Sequence, residues 1–133
     1  MVSNRELDKE IATHIFKHVV IYEEGKEKVI RQKDGSKMNL PPYSSDTDAS
    51  YKVVRWFKRR GFEIKMGYSV EDDHVEWYAQ IYKAGTIYEA VKANSLARAI
   101  CLAAMAWAKR DSVEKPSKDA DNLVTIDFPK KED

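Results

Sequence analysis

Polar side chains cluster at Ser44-Ser45-Asp46-Thr47-Asp48. Hydroxyls and backbone amides at a helix start can bind an anion or the hydroxyls of a nucleotide. The plainer role is to cap the helix, because Asp46 and Asp48 would oppose a phosphate. With Tyr43 ahead of them, Tyr43, Ser44, Ser45, Asp46 and Asp48 form the candidate ligand- or partner-binding segment. A second cluster is basic: Lys52, Arg55 and Arg59, with Lys58 and Arg60 beside them. Spacings of three and four set the first three along one helix face, where they could grip a phosphate backbone or simply face solvent. His14 and His18 stand four apart with Glu10 a turn earlier, a spacing at which ligands converge. No fourth ligand and no His-Glu-x-x-His pattern accompany them, so surface histidines and no metal are expected. Tyr78, Tyr82 and Tyr88 would make a stacking platform on an open sheet face, or core filling beneath the first helix.

Signals for catalysis are absent. The chain has no nucleophile elbow, phosphate loop or paired-carboxylate motif. Cys101, the single cysteine, sits among alanines and a leucine, the setting of an inert buried thiol, and excludes an internal disulfide. No catalytic residue and no cofactor are expected. Over 133 residues, 23 Lys and Arg against 22 Asp and Glu leave a net charge of +1. A generally basic nucleic-acid footprint is thereby excluded, and such a site would have to be a local patch. With 43% apolar residues, one core of ordinary domain size can form.

These groups must be positioned by local elements. Ser3 and Glu6 have the spacing of a capping box, and Leu7, Ile11, Ile15 and Val19 recur every four residues, which predicts a helix from Asn4 to about Lys17. Val19–Tyr22 and Lys28–Arg31 suggest a small hairpin with its turn over Glu23–Glu27. Gln32–Ser45 reads as a loop ending in Leu40-Pro41-Pro42-Tyr43. A second helix follows, with Ser45 as a plausible cap, Ala49, Val53, Trp56 and Phe57 on one side, and Gly61 as its stop. Phe62–Tyr68, His74–Tyr82 and Thr86–Lys92 alternate as three antiparallel strands, with turns at Glu71–Asp73 and Lys83–Gly85. Asn94 or Ser95 caps an alanine-rich helix from Leu96 to Lys109.

The fold class is therefore α+β: helix, small hairpin, helix, three antiparallel strands, helix, with the sheet sandwiched between helices. Residues 1–110 form the domain. Residues 111–133 form a charged tail with seven acidic and four basic residues, expected to be mobile or docked through Leu123–Phe128.

Three segments resemble one family, the phage ABA sandwich domain proteins, small products of bacteriophages and prophages whose function is unknown. They are Asn4-Arg5-Glu6-Leu7-Asp8-Lys9-Glu10-Ile11-Ala12, Leu40–Val54 with its proline, serine and aspartate run, and Ser95–Ala104 of the closing helix. The similarity spans Asn4 to Arg110 in the same order. It departs at Tyr51, where a tryptophan is common, and in the longer tail. The resemblance implies helices around a sheet and supplies no reaction.

The expectation is a phage or prophage accessory protein acting by binding in the host cytoplasm, with defence evasion a theme. The charges at Arg5, Glu6, Asp8, Lys9 and Glu10 lead us to expect no signal peptide, and no apolar run approaches the length that spans a bilayer. The expected partner is a host protein or a small nucleotide-like ligand, and no membrane. The rival is nucleic-acid binding through Lys52, Arg55 and Arg59. An exposed strand edge or Leu123–Phe128 could support a homo-oligomer.

Overall fold

The computed structural model describes residues 2–114, so the expected docking of Leu123–Phe128 lies outside the described residues. Helix α1, Asn4–Glu10, starts on Ser3, whose Oγ accepts the Glu6 amide at 3.1 Å. Only half of the capping box forms, because the Glu6 carboxylate pairs with Lys9 at 3.1 Å instead of reaching back. The chain then widens into a π-helical turn, Ile11–Ile15, in which the Phe16 amide donates to the Ile11 carbonyl at 3.2 Å. Leu7, Ile11, Ala12 and Ile15 stay buried on one side. Lys17, at φ 59°, ends the helix in the left-handed region.

The first sheet is β1 (Val19–Glu23), β2 (Lys26–Ile30) and β3 (Lys37–Asn39), antiparallel in that order. Its first turn is shorter than expected. Glu23 pairs with Lys26, leaving Glu24 and Gly25, both at positive φ, as a two-residue turn whose twist matches the strands. The expected loop from Gln32 contains β3. Asp34 Oδ1 accepts the Ser36 amide at 2.9 Å and the Arg31 amide donates to the Ser36 carbonyl at 2.9 Å, which folds the chain back onto β2. Val29 is the buried centre of this sheet.

Helix α2, Thr47–Arg59, is capped by Asp46, whose Oδ2 accepts the Ala49 amide at 3.0 Å, and not by Ser45. It buries Ala49, Ser50, Val53, Val54 and Phe57. Its end is a Schellman motif: the Phe62 amide donates to the Phe57 carbonyl at 3.0 Å and the Gly61 amide to the Lys58 carbonyl at 3.1 Å. Phe57 and Phe62 meet edge to face at 5.7 Å, the apolar contact that accompanies this motif. Gly61 stands at φ 87°, which a Cβ disfavours by about 1–2 kcal/mol. Gly61→Ala should therefore cost roughly 1 kcal/mol in urea unfolding without moving the site; an unchanged midpoint would contradict this ending of α2.

The second sheet is β4 (Glu63–Glu71), β5 (His74–Lys83) and β6 (Thr86–Ala93), antiparallel in that order. Its register joins Ile64 to Ile81 and Met66 to Ala79 on the face covered by helices. Helix α3, Leu96–Glu114, begins on Ser95, whose Oγ accepts the Arg98 amide at 3.2 Å. Ala97, Ala99, Ile100, Cys101, Ala103, Ala104 and Met105 are all buried, so α3 is enclosed nearly all round by β5, β6, α2 and the first helix. Small alanines allow that close approach. Phe57, Phe62, Tyr88 and Trp107 interlock edge to face, with ring centroids 5.0–5.7 Å apart.

The α+β class and the order of elements match the sequence reading. The strands form two sheets, and helices cover one face of the second. Its other face carries Lys65, Tyr78, Gln80 and Lys92 around a depression of about 260 Å³. Tyr78 lies over Gly67, where a Cβ would come within 2.5 Å of its hydroxyl.

Candidate functional site

The segment Tyr43–Asp48 is largely structural. Tyr43 is buried and stacks on Phe16 at 5.3 Å. Ser44 is buried against Asp8: its amide and its Oγ each lie 2.8 Å from Asp8 Oδ1, and Oγ is also 3.0 Å from the Asn4 carbonyl. Asp8 is itself fully buried, with Arg5 at 3.2 Å from its second oxygen. Tyr43 and Ser44 thus hold α1 to the approach of α2, and Asp46 caps that helix. Burial leaves Tyr43 and Ser44 little surface for a ligand, whereas Asp46 caps α2 from an exposed position. Ser45 and Asp48 remain on the surface.

Lys52, Arg55 and Arg59 are exposed together on α2, and none has an ion pair among the described residues. The histidine stripe is broken, since the left-handed Lys17 separates His18 from the helix carrying His14. Among the described residues no group of three potential ligands could hold a metal. The three tyrosines are divided. Tyr78 and Tyr82 are half-buried on the outer sheet face, while a bulge opposite Ile81 and Tyr82 lets Tyr88 turn towards Phe62. Cys101 is buried, and burial pushes its thiol far above the usual range, so it is not nucleophilic at neutral pH.

A cleft of about 350 Å³ lies elsewhere, lined by Phe16, Lys17 and His18 from the end of the first helix, Arg31 to Asp34 from the β2–β3 turn, and Trp56 of α2. It sits at the small end of the ~300–1,000 Å³ range of ligand sites. Three cations, Lys17, Arg31 and Lys33, face one carboxylate, Asp34. Arg31 is positioned by Ser36 Oγ at 3.0 Å and Asp34 at 3.5 Å, while Lys17 and Lys33 have no ion pair among the described residues. Asp34 is held below the ordinary carboxylate range, first by the Ser36 amide that it accepts, so it stays charged. The net excess is cationic.

The walls are aromatic. Tyr43, Phe16 and His18 form a parallel stack, with centroids 5.3 and 5.8 Å apart. Trp56 carries the Arg60 guanidinium 3.7 Å above its ring. His18 is half-buried, and its Nδ1 is buried without a hydrogen-bond partner among the described residues. Burial, and then the Arg31 charge, hold its imidazole below the usual pKa of 6.5. His18 is therefore neutral at pH 7, and a bound anion would favour its protonated form. Binding then takes up a proton, so affinity should rise as pH falls from neutral through the ordinary imidazole range. A phosphodiester such as cyclic AMP keeps its charge over this window and is the suitable probe; affinity that is flat or falls would contradict the coupling, and His18→Gln should abolish the slope.

Sequence reasoning missed this cleft because its residues come from three separated segments. The available signal was Arg31-Gln32-Lys33-Asp34-Gly35, two cations at a turn. No known protein family, curated protein or solved structure matches the chain. The similarity to phage ABA sandwich proteins therefore rests on the three sequence segments alone.

Proposed function

We propose that the protein is a binding module that captures a small anionic ligand carrying a planar ring, nucleotide-like in chemistry, without turning it over. The observation that carries this reading is the convergence of Lys17, Arg31 and Lys33 on a cleft walled by Phe16, His18 and Trp56. Cations supply charge-assisted hydrogen bonds to a phosphate, and the face of His18 turned away from Phe16 supplies stacking area for a base. Such capture suits a phage accessory protein that sequesters a host ligand, a setting supported by the three resembling segments. Among the described residues no helix is long and apolar enough to cross a membrane.

A thermal-shift panel of nucleotides and short nucleic acids at two salt concentrations tests the reading. A ligand at 100 times its dissociation constant should stabilise the fold by about 2.7 kcal/mol. A shift with mononucleotides that is lost in Arg31→Glu supports the cleft, and no shift with any nucleotide contradicts it. The second reading, nucleic-acid binding through α2, is favoured by the unpaired, exposed Lys52, Arg55 and Arg59. It requires a shift with nucleic acid that falls steeply with salt and disappears when those three become Glu.

A further inference from the structure

Edge strands expose unpaired backbone groups, and proteins commonly blunt them with bulges, charges or cover. The second sheet has two edges, β4 and β6. β6 carries a bulge opposite Ile81 and Tyr82, which bends that edge. β4 pairs without interruption along all nine residues, Glu63–Glu71, and its outer edge has no strand beside it among the described residues.

The same strand carries an apolar patch. Tyr68 is 61% and Val70 60% exposed, and the residues paired to them on β5 are Trp77 and Val75, the latter 42% exposed. All four lie on the face that α3 covers further along. Helix α3 starts at Leu96, just after Ala93, the partner of Trp77, and runs back towards Glu89, which Arg110 meets at 3.2 Å. The end of the β4–β5 hairpin therefore projects beyond the start of the helix, with Tyr68 and Trp77 in contact at 5.2 Å.

We propose that a second copy of this chain adds antiparallel to the β4 edge about a two-fold axis at Tyr68, giving a continuous six-stranded sheet. Registers that keep side chains on their own face differ in charge. Centring on Gly67 would set Glu63 against Glu71, a repulsive pair. Centring on Tyr68 sets Lys65 against Glu71 of the other copy, twice by symmetry, joins Met66 to Val70 and Tyr68 to Tyr68 on the apolar face, and moves Glu63 past the strand end to the turn residue Asp73. Lys65 and Glu71 are exposed and have no ion pair among the described residues. The pairing satisfies the free backbone groups of β4 and covers Tyr68 and Val70 together.

Sedimentation equilibrium of the full chain tests this, with circular dichroism confirming that each variant is folded. The wild type should be a dimer. Lys65→Glu and Glu71→Lys should each dissociate it, by setting like charges opposite one another, and the double exchange should restore it. A wild type that is monomeric throughout, single variants that remain dimeric, or a folded double variant that stays monomeric would each overturn the proposal. Because Lys65 and Glu71 are not cleft residues, failure here leaves nucleotide binding untouched.

Discussion

Replacing Lys17, Arg31 and Lys33 together by Glu should reduce affinity for a mononucleotide by at least about a thousandfold while leaving the chain folded. Each cation contributes a charge-assisted hydrogen bond of roughly 1.5–3 kcal/mol, so removing one alone costs tenfold or more. Reversal adds repulsion between the new carboxylates, Asp34 and the ligand phosphate. Lys17 and Lys33 are exposed and Arg31 is about half exposed, so the fold does not depend on their charges. Lys17 also separates binding from stability. At φ 59° it occupies a left-handed position that glycine adopts freely. Lys17→Gly should raise stability by about 1 kcal/mol and still weaken binding. Titration calorimetry and urea unfolding of the same samples read both effects. Equal affinity in the triple variant would remove the cations from the site.

Asp8→Ala should destabilise the protein by about 3–5 kcal/mol, the largest loss expected from any one polar side chain here. The buried carboxylate accepts the amide and hydroxyl of Ser44 at 2.8 Å and neutralises part of Arg5. Without it, the buried Ser44 amide loses its acceptor, at roughly 1–3 kcal/mol, the hydroxyl keeps only the Asn4 carbonyl, and Arg5 loses one of its two carboxylates. Asp8→Asn keeps one acceptor oxygen and should lose less. The damage should reach the cleft indirectly, because Ser44 follows Tyr43 and Tyr43 supports the Phe16–His18 stack. A loss below about 1 kcal/mol for Asp8→Ala would mean that the Asp8–Ser44 link does not hold α1 to the chain before α2.

Regular repetition made most of the fold legible. Leu7, Ile11 and Ile15 marked the first helix, and alternation along Phe62–Tyr68 and His74–Tyr82 marked strands that the structure contains. Gly61 marked the end of α2 because few other residues take its backbone geometry. Short and irregular features were not legible. β3 has three residues and one apolar side chain, too little pattern to separate it from a loop. The π-helical turn leaves no compositional trace. Capping was ambiguous between Ser45 and Asp46 because both types serve equally well. The Tyr43–Asp48 segment looked functional because hydroxyls and carboxylates are also the groups that bury hydrogen bonds and cap helices. Conversely, the cleft depends on the β2–β3 turn approaching the end of the first helix and Trp56, a juxtaposition that no local pattern encodes. Spacings of three and four placed Lys52, Arg55 and Arg59 on one exposed face of α2, and the apolar neighbours of Cys101 placed it in the core.

The most direct measurement is a heteronuclear NMR titration of the full chain with AMP. If the cleft is the ligand site, shifts concentrate on the amides of Phe16–His18 and Arg31–Asp34 and on the Trp56 indole, and they saturate. Saturating shifts centred on Ser45–Asp48 or on Lys52, Arg55 and Arg59, or a spectrum that does not change, would contradict it.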